Sequence, residues 1–125
     1  MRQQYHARRV GNDTLIWDVH RLVRLSKTLP VHDIPLSDIA ELDEDWWFQE
    51  PADVATPRGV AAHFALVQAC DLRHPIILCA EGRLMDGMHR VVKALGEGRA
   101  TIRAVRFPAT PPHDHMNVSL DQIPH

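Results

Sequence analysis

The stretch 75–107 restricts the fold of this chain more than any other part of its sequence. Short apolar runs alternate there with glycines, which permit a tight turn or end a helix. The predicted elements are, in order, a strand at 75–80, a turn at Glu81-Gly82, a strand at 83–86, a helix from Gly87 to about Gly96 and a strand at 101–107. In the helix, the expected apolar face is Val91, Val92 and Leu95.

The chain before this unit predicts two more helices and one more strand. Residues 14–28 and 58–72 both have apolar residues at helical spacing. Residues 31–36 predict a short strand, and Pro35 favours an edge position because proline cannot donate a hydrogen bond to a neighbouring strand. A short helical turn is expected at 37–42, before an acidic, proline-containing loop. The residues of the 58–72 helix expected to face inward are Val60, Phe64, Val67 and Cys70.

Composition excludes several classes of protein. The net charge of −2 argues against general electrostatic binding of nucleic acid, which needs a clearly basic face. Two cysteines, Cys70 and Cys79, are too few for a disulfide framework. The charged N-terminal residues lead into no apolar segment, and no apolar run approaches the roughly 20 residues that cross a bilayer. The sequence therefore predicts a cytoplasmic, soluble protein that binds neither a membrane nor a specific nucleic acid.

Charge is unevenly distributed along the chain. Residues 33–53 hold eight acidic residues and no Lys or Arg, whereas 1–27 and 81–106 are net positive. One interpretation is a solvated acidic loop beside two ordinary basic faces. The other is a set of carboxylates facing a basic, phosphate-receiving segment, since a divalent cation and a phosphate need ligands of opposite sign.

The junction Asp86-Gly87-Met88-His89-Arg90 is the strongest candidate for a binding site. A glycine between strand and helix allows a ligand to approach the backbone, and the first helical turn offers free N–H groups that favour an anion. His89 and Arg90 would add side-chain donors at the same turn. The alternative is that His89 and Arg90 pair with nearby acids such as Asp86 and only cap the helix.

The sequence at 75–107, PIILCAEGRLMDGMHRVVKALGEGRATIRAVRF, resembles the core of the ParB/sulfiredoxin-like superfamily. That core has a strand, a turn, a strand ending in a Gly-x-His-Arg box, a helix with a late Leu-Gly and a closing strand. Residues 31–45, VHDIPLSDIAELDED, resemble its opening strand and turn. The resemblance implies a small α+β domain at 31–107, a mixed sheet with flanking helices. An N-terminal helical extension at 1–30 and a Pro/His-rich C-terminal tail at 108–125 would lie outside it.

Three branches of this superfamily differ at the box. Sulfiredoxins carry a catalytic Cys where this chain has Met88, so sulfinic-acid reduction is not expected. ParB partition proteins bind CTP at the box, but they recognise DNA through a further domain for which this chain has no room. The pattern Asp86-Gly87-x-His89-Arg90 is most similar to that of the ADP-dependent archaeal free-serine kinases. The catalytic Glu of those kinases corresponds by position to Asp43 here.

The resemblance thus implies a nucleotide-binding protein whose ligand is ATP, ADP or CTP, with or without Mg²⁺. The implied nucleotide-binding residues are Asp86, Gly87, Met88, His89 and Arg90. The leading hypothesis is phosphoryl transfer to a small hydroxylated molecule, or nucleotide hydrolysis, with Asp43 and His89 as catalytic residues. The alternative hypothesis is a non-catalytic, nucleotide-gated binding module of the ParB type. A homodimer is compatible with either hypothesis.

Two other groups of residues are weaker candidates. His113-x-His115 with Asp114 has ligand-like spacing but lacks a third ligand at a known distance, so no metal site is predicted. The segment Trp46-Trp47-Phe48 follows the acidic run. Its aromatic rings are expected either to pack on the core or as a lid, or to stack on a nucleobase or substrate.

Overall fold

The computed structural model describes residues 4–48, 54–119 and 123, which form two sheets and three α-helices. None of the helices in these residues is long and apolar enough to cross a membrane. The elements are β1 (Tyr5–Val10), β2 (Asp13–Asp18), α1 (Val19–Ser26), β3 (His32–Pro35), α2 (Pro57–Ala69), β4 (Ile76–Leu78), β5 (Leu84–Asp86), α3 (Met88–Gly96), β6 (Thr101–Arg106) and β7 (His115–Met116). Two 3₁₀ turns, Leu36–Asp38 and Ala40–Asp43, follow β3.

The four-stranded sheet confirms the expected α+β class with a mixed sheet. Its strand order is β3-β6-β4-β5, with β4 parallel to β6 and the other two pairs antiparallel. Strand β3 lies at the edge, as the proline at position 35 predicted. All elements predicted for 75–107 are present. In β6, exposed and buried residues alternate from Thr101 to Ala104, but Val105 is buried as well.

Both faces of β4 are buried, which explains its continuous apolar sequence. Because successive side chains of a strand point to opposite faces, Ile76 and Leu78 pack with Val91 of α3. Ile77 faces the other way and joins a second cluster that contains Leu22 of α1. The central strand is therefore sandwiched between α3 on one side and the N-terminal elements on the other.

The helix predicted at 14–28 is wrong in its first part. Residues 13–18 form β2, which pairs with β1 through the two-residue turn at Gly11-Asn12, where Gly11 has a φ of 63°. Asp18 then caps α1 by accepting a hydrogen bond from the His20 N–H at 2.9 Å. The apolar residues Ile16 and Trp17 are adjacent, and both are buried. Ile16 has helical spacing to Val19 and Leu22, but pairing with β1 fixes an extended backbone at Ile16.

Residues beyond 108 contribute a strand that the sequence did not predict. β7 pairs with β2 and completes a three-stranded sheet in the order β1-β2-β7. The indole Nε1 of Trp17 donates to the Pro111 carbonyl at 2.8 Å, and Arg21 forms an ion pair with Asp114 at 3.0 Å. These contacts hold the C-terminal segment against β2 and α1.

Helix α2 exists where it was predicted, but its expected inward face is wrong. Thr56 and Pro57 begin the helix, and the Thr56 side chain accepts from the Gly59 N–H. None of the residues of α2 is buried, and Phe64 is 59% exposed. The apolar residues instead border an open groove of about 570 Å³ between α2 and α3. Leu95 of α3, also expected to face inward, is exposed, while Val91 is buried as predicted.

Candidate functional site

The junction of β5 and α3 has the local geometry that its glycine predicts. Gly87 has a φ of 114° and ψ of 21°, a backbone conformation that residues with a side chain rarely adopt. A Cβ atom at this position would lie 2.6 Å from Cγ2 of Ile76 and 2.9 Å from Nη2 of Arg90. Glycine is therefore required here both by the backbone angles and by the closeness of β4.

A cavity of about 380 Å³ lies in front of this junction. Its size is at the lower end of the range for small-molecule sites, roughly 300–1,000 Å³. Residues from β1, the aromatic segment after the 3₁₀ turns, β5 and the start of α3 surround it. They are Gln4, Tyr5, His6, Val19, Trp46, Trp47, Met85, Asp86, Gly87, Met88 and His89. Four of the five residues predicted to bind nucleotide line this cavity.

The first turn of α3 offers backbone donors to the cavity. The intrahelical ladder begins with the Val91 N–H, which donates to the Gly87 carbonyl at 3.0 Å. Gly87, the N-cap, has no side chain that could accept from the N–H groups of Met88, His89 and Arg90. Together with the helix dipole, these donors favour a negatively charged group at this end of the cavity.

The Arg90 side chain does not line the cavity. Its Nη2 donates to Oδ2 of Asp86 and to the Pro75 carbonyl, both at 3.2 Å. The Arg90 and Asp86 side chains are only 18% and 20% exposed. Nε of Arg90 is buried and has no hydrogen-bond partner in the described part of the chain. For Arg90, this geometry corresponds to the alternative that the sequence left open, in which it pairs with Asp86. The contact with the Pro75 carbonyl, which the sequence did not predict, also ties α3 to the residue before β4.

His89 lies within hydrogen-bonding distance of a second histidine, His63, and the indole of Trp47 stacks on both. Its Nε2 lies 3.0 Å from Nδ1 of His63, and Trp47 stacks on both imidazoles with centroids 4.3 Å from His63 and 4.8 Å from His89. Burial lowers the pKa of His89, and His63 and Arg90 lower it further. The His89 imidazole is therefore neutral at pH 7, and it would meet a phosphate as a dipole and not as a cation.

The acidic segment does not bring Asp43 to the cavity. Asp43 ends the second 3₁₀ turn, is exposed, and is not among the described residues that line the cavity. Among the described residues of the segment, the buried carboxylate is Glu41, which is 3% exposed and accepts from the Leu84 N–H at 2.9 Å. Arg83 lies 3.6 Å from Glu41 and 3.1 Å from Glu44. Much of this segment therefore secures the start of β5.

His6 is a buried polar residue of this cavity that sequence reasoning missed. It is 7% exposed, and its ring lies beside those of Trp17 and Trp46 at centroid distances of 5.7 and 5.8 Å. Its Nε2 atom is buried and has no hydrogen-bond partner among the described residues. Burial, followed by the positive charges of Arg8 and Arg83, lowers the pKa of His6 to about 3. No local pattern marks His6, because a single histidine in a charged strand carries no periodic signal.

We expect His6 to make the fold acid-sensitive. Because the pKa of His6 is lower in the folded chain than its unfolded value of 6.5, the unfolded chain takes up a proton first, so stability is highest above pH 6.5 and falls as the pH falls toward 3. At pH 4 the loss from His6 would be up to about 3 kcal/mol, at roughly 1.36 kcal/mol per pH unit. Urea unfolding at pH 7 and pH 4 measures it, and His6→Phe should lose less stability over that interval. Equal losses in both chains would contradict the expectation.

Other parts of the molecule carry less chemistry. No group of three or more His, Cys, Asp or Glu side chains that could hold a metal ion exists within residues 4–48, 54–119 and 123. A larger groove of about 760 Å³ lies at the C-terminal ends of α2 and α3. Two of its basic residues are already paired, Arg73 with Asp71 at 2.8 Å and Arg99 with Glu97 at 2.9 Å. The cavity at the start of α3 is therefore the stronger candidate.

Comparison with known proteins adds no relative. No family model, no curated protein and no solved structure matches this chain.

Proposed function

We propose that this chain binds a nucleotide of the ATP, ADP or CTP class in the cavity at the start of α3, as a ParB/sulfiredoxin-like binding module. The observation that carries the proposal is the uncapped first turn of α3 opening onto a cavity with aromatic walls. The order of elements from β3 to β6 also supports it, because it follows the order that the sequence resemblance implies.

The phosphates would bind at the first turn of α3. The N–H groups of Met88 and His89 supply donors, and the helix dipole supplies a partial positive charge. Gly87 lacks a side chain, so a phosphate could approach the backbone closely. Asp86 lines the same cavity, but its ion pair with Arg90 reduces the repulsion that its carboxylate would exert.

The base would bind against the aromatic wall. Trp46 and Trp47 both line the cavity and are half-buried, so each has a ring that already packs on the protein and a part that a ligand can reach. Stacking of a nucleobase on an aromatic side chain is worth about 1–3 kcal/mol. Both indoles also pack against the hydrophobic core. The two roles expected from the sequence, packing on the core and stacking on a base, are therefore compatible.

A binding module is favoured over phosphoryl transfer. Transfer requires a carboxylate that orients the acceptor or holds Mg²⁺ near the transferred group. Of the acidic residues in the described chain, Asp86 lines the cavity and is already paired, whereas Asp43 is exposed outside it. In such a module, nucleotide binding would act by causing the chain to form a homodimer.

Thermal unfolding with ATP, ADP and CTP, with and without Mg²⁺, tests the proposal. A ligand at one hundred times its Kd should stabilise the folded chain by about 2.7 kcal/mol. Gln4→Glu places a negative charge at the exposed rim of the cavity and should weaken nucleotide binding several-fold at low salt, with a smaller effect at high salt. Gln68→Glu is the matched control, because Gln68 is exposed on α2 and borders the other two grooves.

Three outcomes would count against the proposal. No stabilisation by any of the three nucleotides would overturn it, and so would equal weakening by Gln4→Glu and Gln68→Glu. Release of product from a nucleotide, with a matching loss in Asp43→Asn, would instead show the phosphoryl-transfer activity. Sedimentation with and without the bound nucleotide would detect the homodimer.

A further inference from the structure

His6 is a polar residue in a position that the fold would fill better with an apolar ring. It lies on β1 directly opposite Trp17 in the strand register, is 7% exposed and contacts Trp46 as well. Its Nε2 has no hydrogen-bond partner in the described chain. A buried donor or acceptor without a partner costs about 1–3 kcal/mol, so a phenyl group of similar shape would pack there at no such cost.

The position of His6 in the fold suggests a role for its Nε2 atom. His6 belongs to the wall of the same 380 Å³ cavity that the first turn of α3 borders. His6 on β1 and the first turn of α3 are distant in the sequence, and they come together only in the folded chain. Since Nε2 is covered by surrounding atoms, contact with a ligand requires a side-chain adjustment in this wall.

The charge of His6 limits the groups that it can recognise. Burial, followed by the positive charges of Arg8 and Arg83, lowers the pKa of His6 to about 3, so the imidazole is neutral at pH 7. A neutral imidazole has one donor and one acceptor nitrogen, so it favours an uncharged polar group over a phosphate. The backbone donors of α3 have the opposite preference.

We propose that His6 is a specificity-determining residue of this cavity, which hydrogen-bonds through Nε2 to an uncharged polar group of the nucleotide, on its base or its sugar. The phosphates bind at α3, and His6 distinguishes a complete nucleotide from a bare phosphate chain. This inference rests on the proposed function and adds to it the recognition of the part of the ligand that carries no charge.

Calorimetry at pH 7 tests the inference with two probes, the nucleotide among ATP, ADP and CTP that most stabilises the wild type, and pyrophosphate. His6→Phe keeps a ring but removes the nitrogen, so it should weaken nucleotide binding roughly 3- to 10-fold and leave pyrophosphate binding unchanged. The His6→Phe chain should be at least as stable as the wild type. His6→Gln, whose amide restores a hydrogen-bonding group, should recover part of the affinity. His32→Phe, at an exposed site outside the cavity, is the control and should change neither affinity.

Each remaining outcome overturns a different statement. A wild-type chain that binds neither probe overturns the proposed function and this inference with it. Equal nucleotide affinity in the wild type and His6→Phe, or an equal loss for both probes, overturns only the assignment of His6. A His6→Phe chain that is less stable than the wild type, or does not fold, would show that the imidazole nitrogen serves the fold, which also overturns the assignment.

Discussion

Replacing Gly87 with alanine is expected to lower the free energy of unfolding by about 2–5 kcal/mol. A residue with a side chain is strained at a φ of 114°, at a cost of about 1–3 kcal/mol. The added Cβ would also lie 2.6 Å from Cγ2 of Ile76, so β4 or α3 must shift. For a domain of this size, the melting temperature should fall by roughly 10 °C or more.

Gly96→Ala is the matched control for this substitution. Gly96 lies at the other end of the same helix and lacks a positive φ, and a Cβ atom added there would meet no described atom within 4 Å. Alanine there should leave the stability unchanged or raise it by up to about 1 kcal/mol. Thermal and urea unfolding measure both variants. Equal stabilities for Gly87→Ala and Gly96→Ala would refute the geometry described for the β5–α3 junction.

Replacing Arg90 with alanine is expected to lower the free energy of unfolding by about 2–4 kcal/mol, because it strands a partly buried carboxylate. Arg90 provides charge-assisted hydrogen bonds to Asp86 and to the Pro75 carbonyl, and both side chains of the ion pair are about four-fifths buried. A phosphate-binding arginine on the surface would behave differently. Removing such an arginine would weaken binding of the ligand and leave the stability of the fold unchanged.

Arg99→Ala provides the comparison for Arg90. Arg99 forms an ion pair of similar length with Glu97, but both partners are exposed, so its removal should change stability by less than about 1 kcal/mol. Adding Asp86→Ala to Arg90→Ala should recover part of the lost stability, since no unpaired carboxylate is then left. An Arg90→Ala chain as stable as the wild type that binds nucleotide less tightly would return Arg90 to its sequence-based role at the phosphates.

The elements at 75–107 could be predicted because their signals are local. Gly82 and Gly87 mark a turn and a helix start, and both have the positive φ that glycine supplies. The continuous apolar run at β4 is typical of a strand that is buried on both faces. In such a stretch, neighbouring residues contain almost all the information that decides the structure.

The sequence did not predict structure that depends on contacts with residues far away in the chain. Ile16 has helical spacing to Val19 and Leu22, but it pairs with β1 and β7, and β7 lies about a hundred residues away. The apolar face of α2 was expected inward because its spacing is helical, but spacing does not tell whether another element covers it. Phe64 is exposed for that reason.

The candidate site also has one part that the sequence predicts and one part that it does not place. Its backbone half, from Asp86 to His89, is visible in the sequence because a glycine and a helix start are local features. Its other half is formed by Trp46 and Trp47, which the sequence marks as candidates without showing where they lie, and by His6, which the sequence does not mark. The inward turn of Arg90 could be foreseen only as an alternative, since both Asp86 and a phosphate would attract its guanidinium.

The pairing of β2 with β7 has a consequence for biosynthesis. During translation, β1 and β2 leave the ribosome well before β7. The Asp114 N–H donates to Ile16 and the Asn117 N–H donates to Thr14 only after some hundred further residues have been made. Contacts between such distant residues form slowly, and a waiting strand with an unpaired edge invites aggregation. We therefore expect the edge of β2 to be prone to aggregation in the nascent chain until synthesis has passed β7.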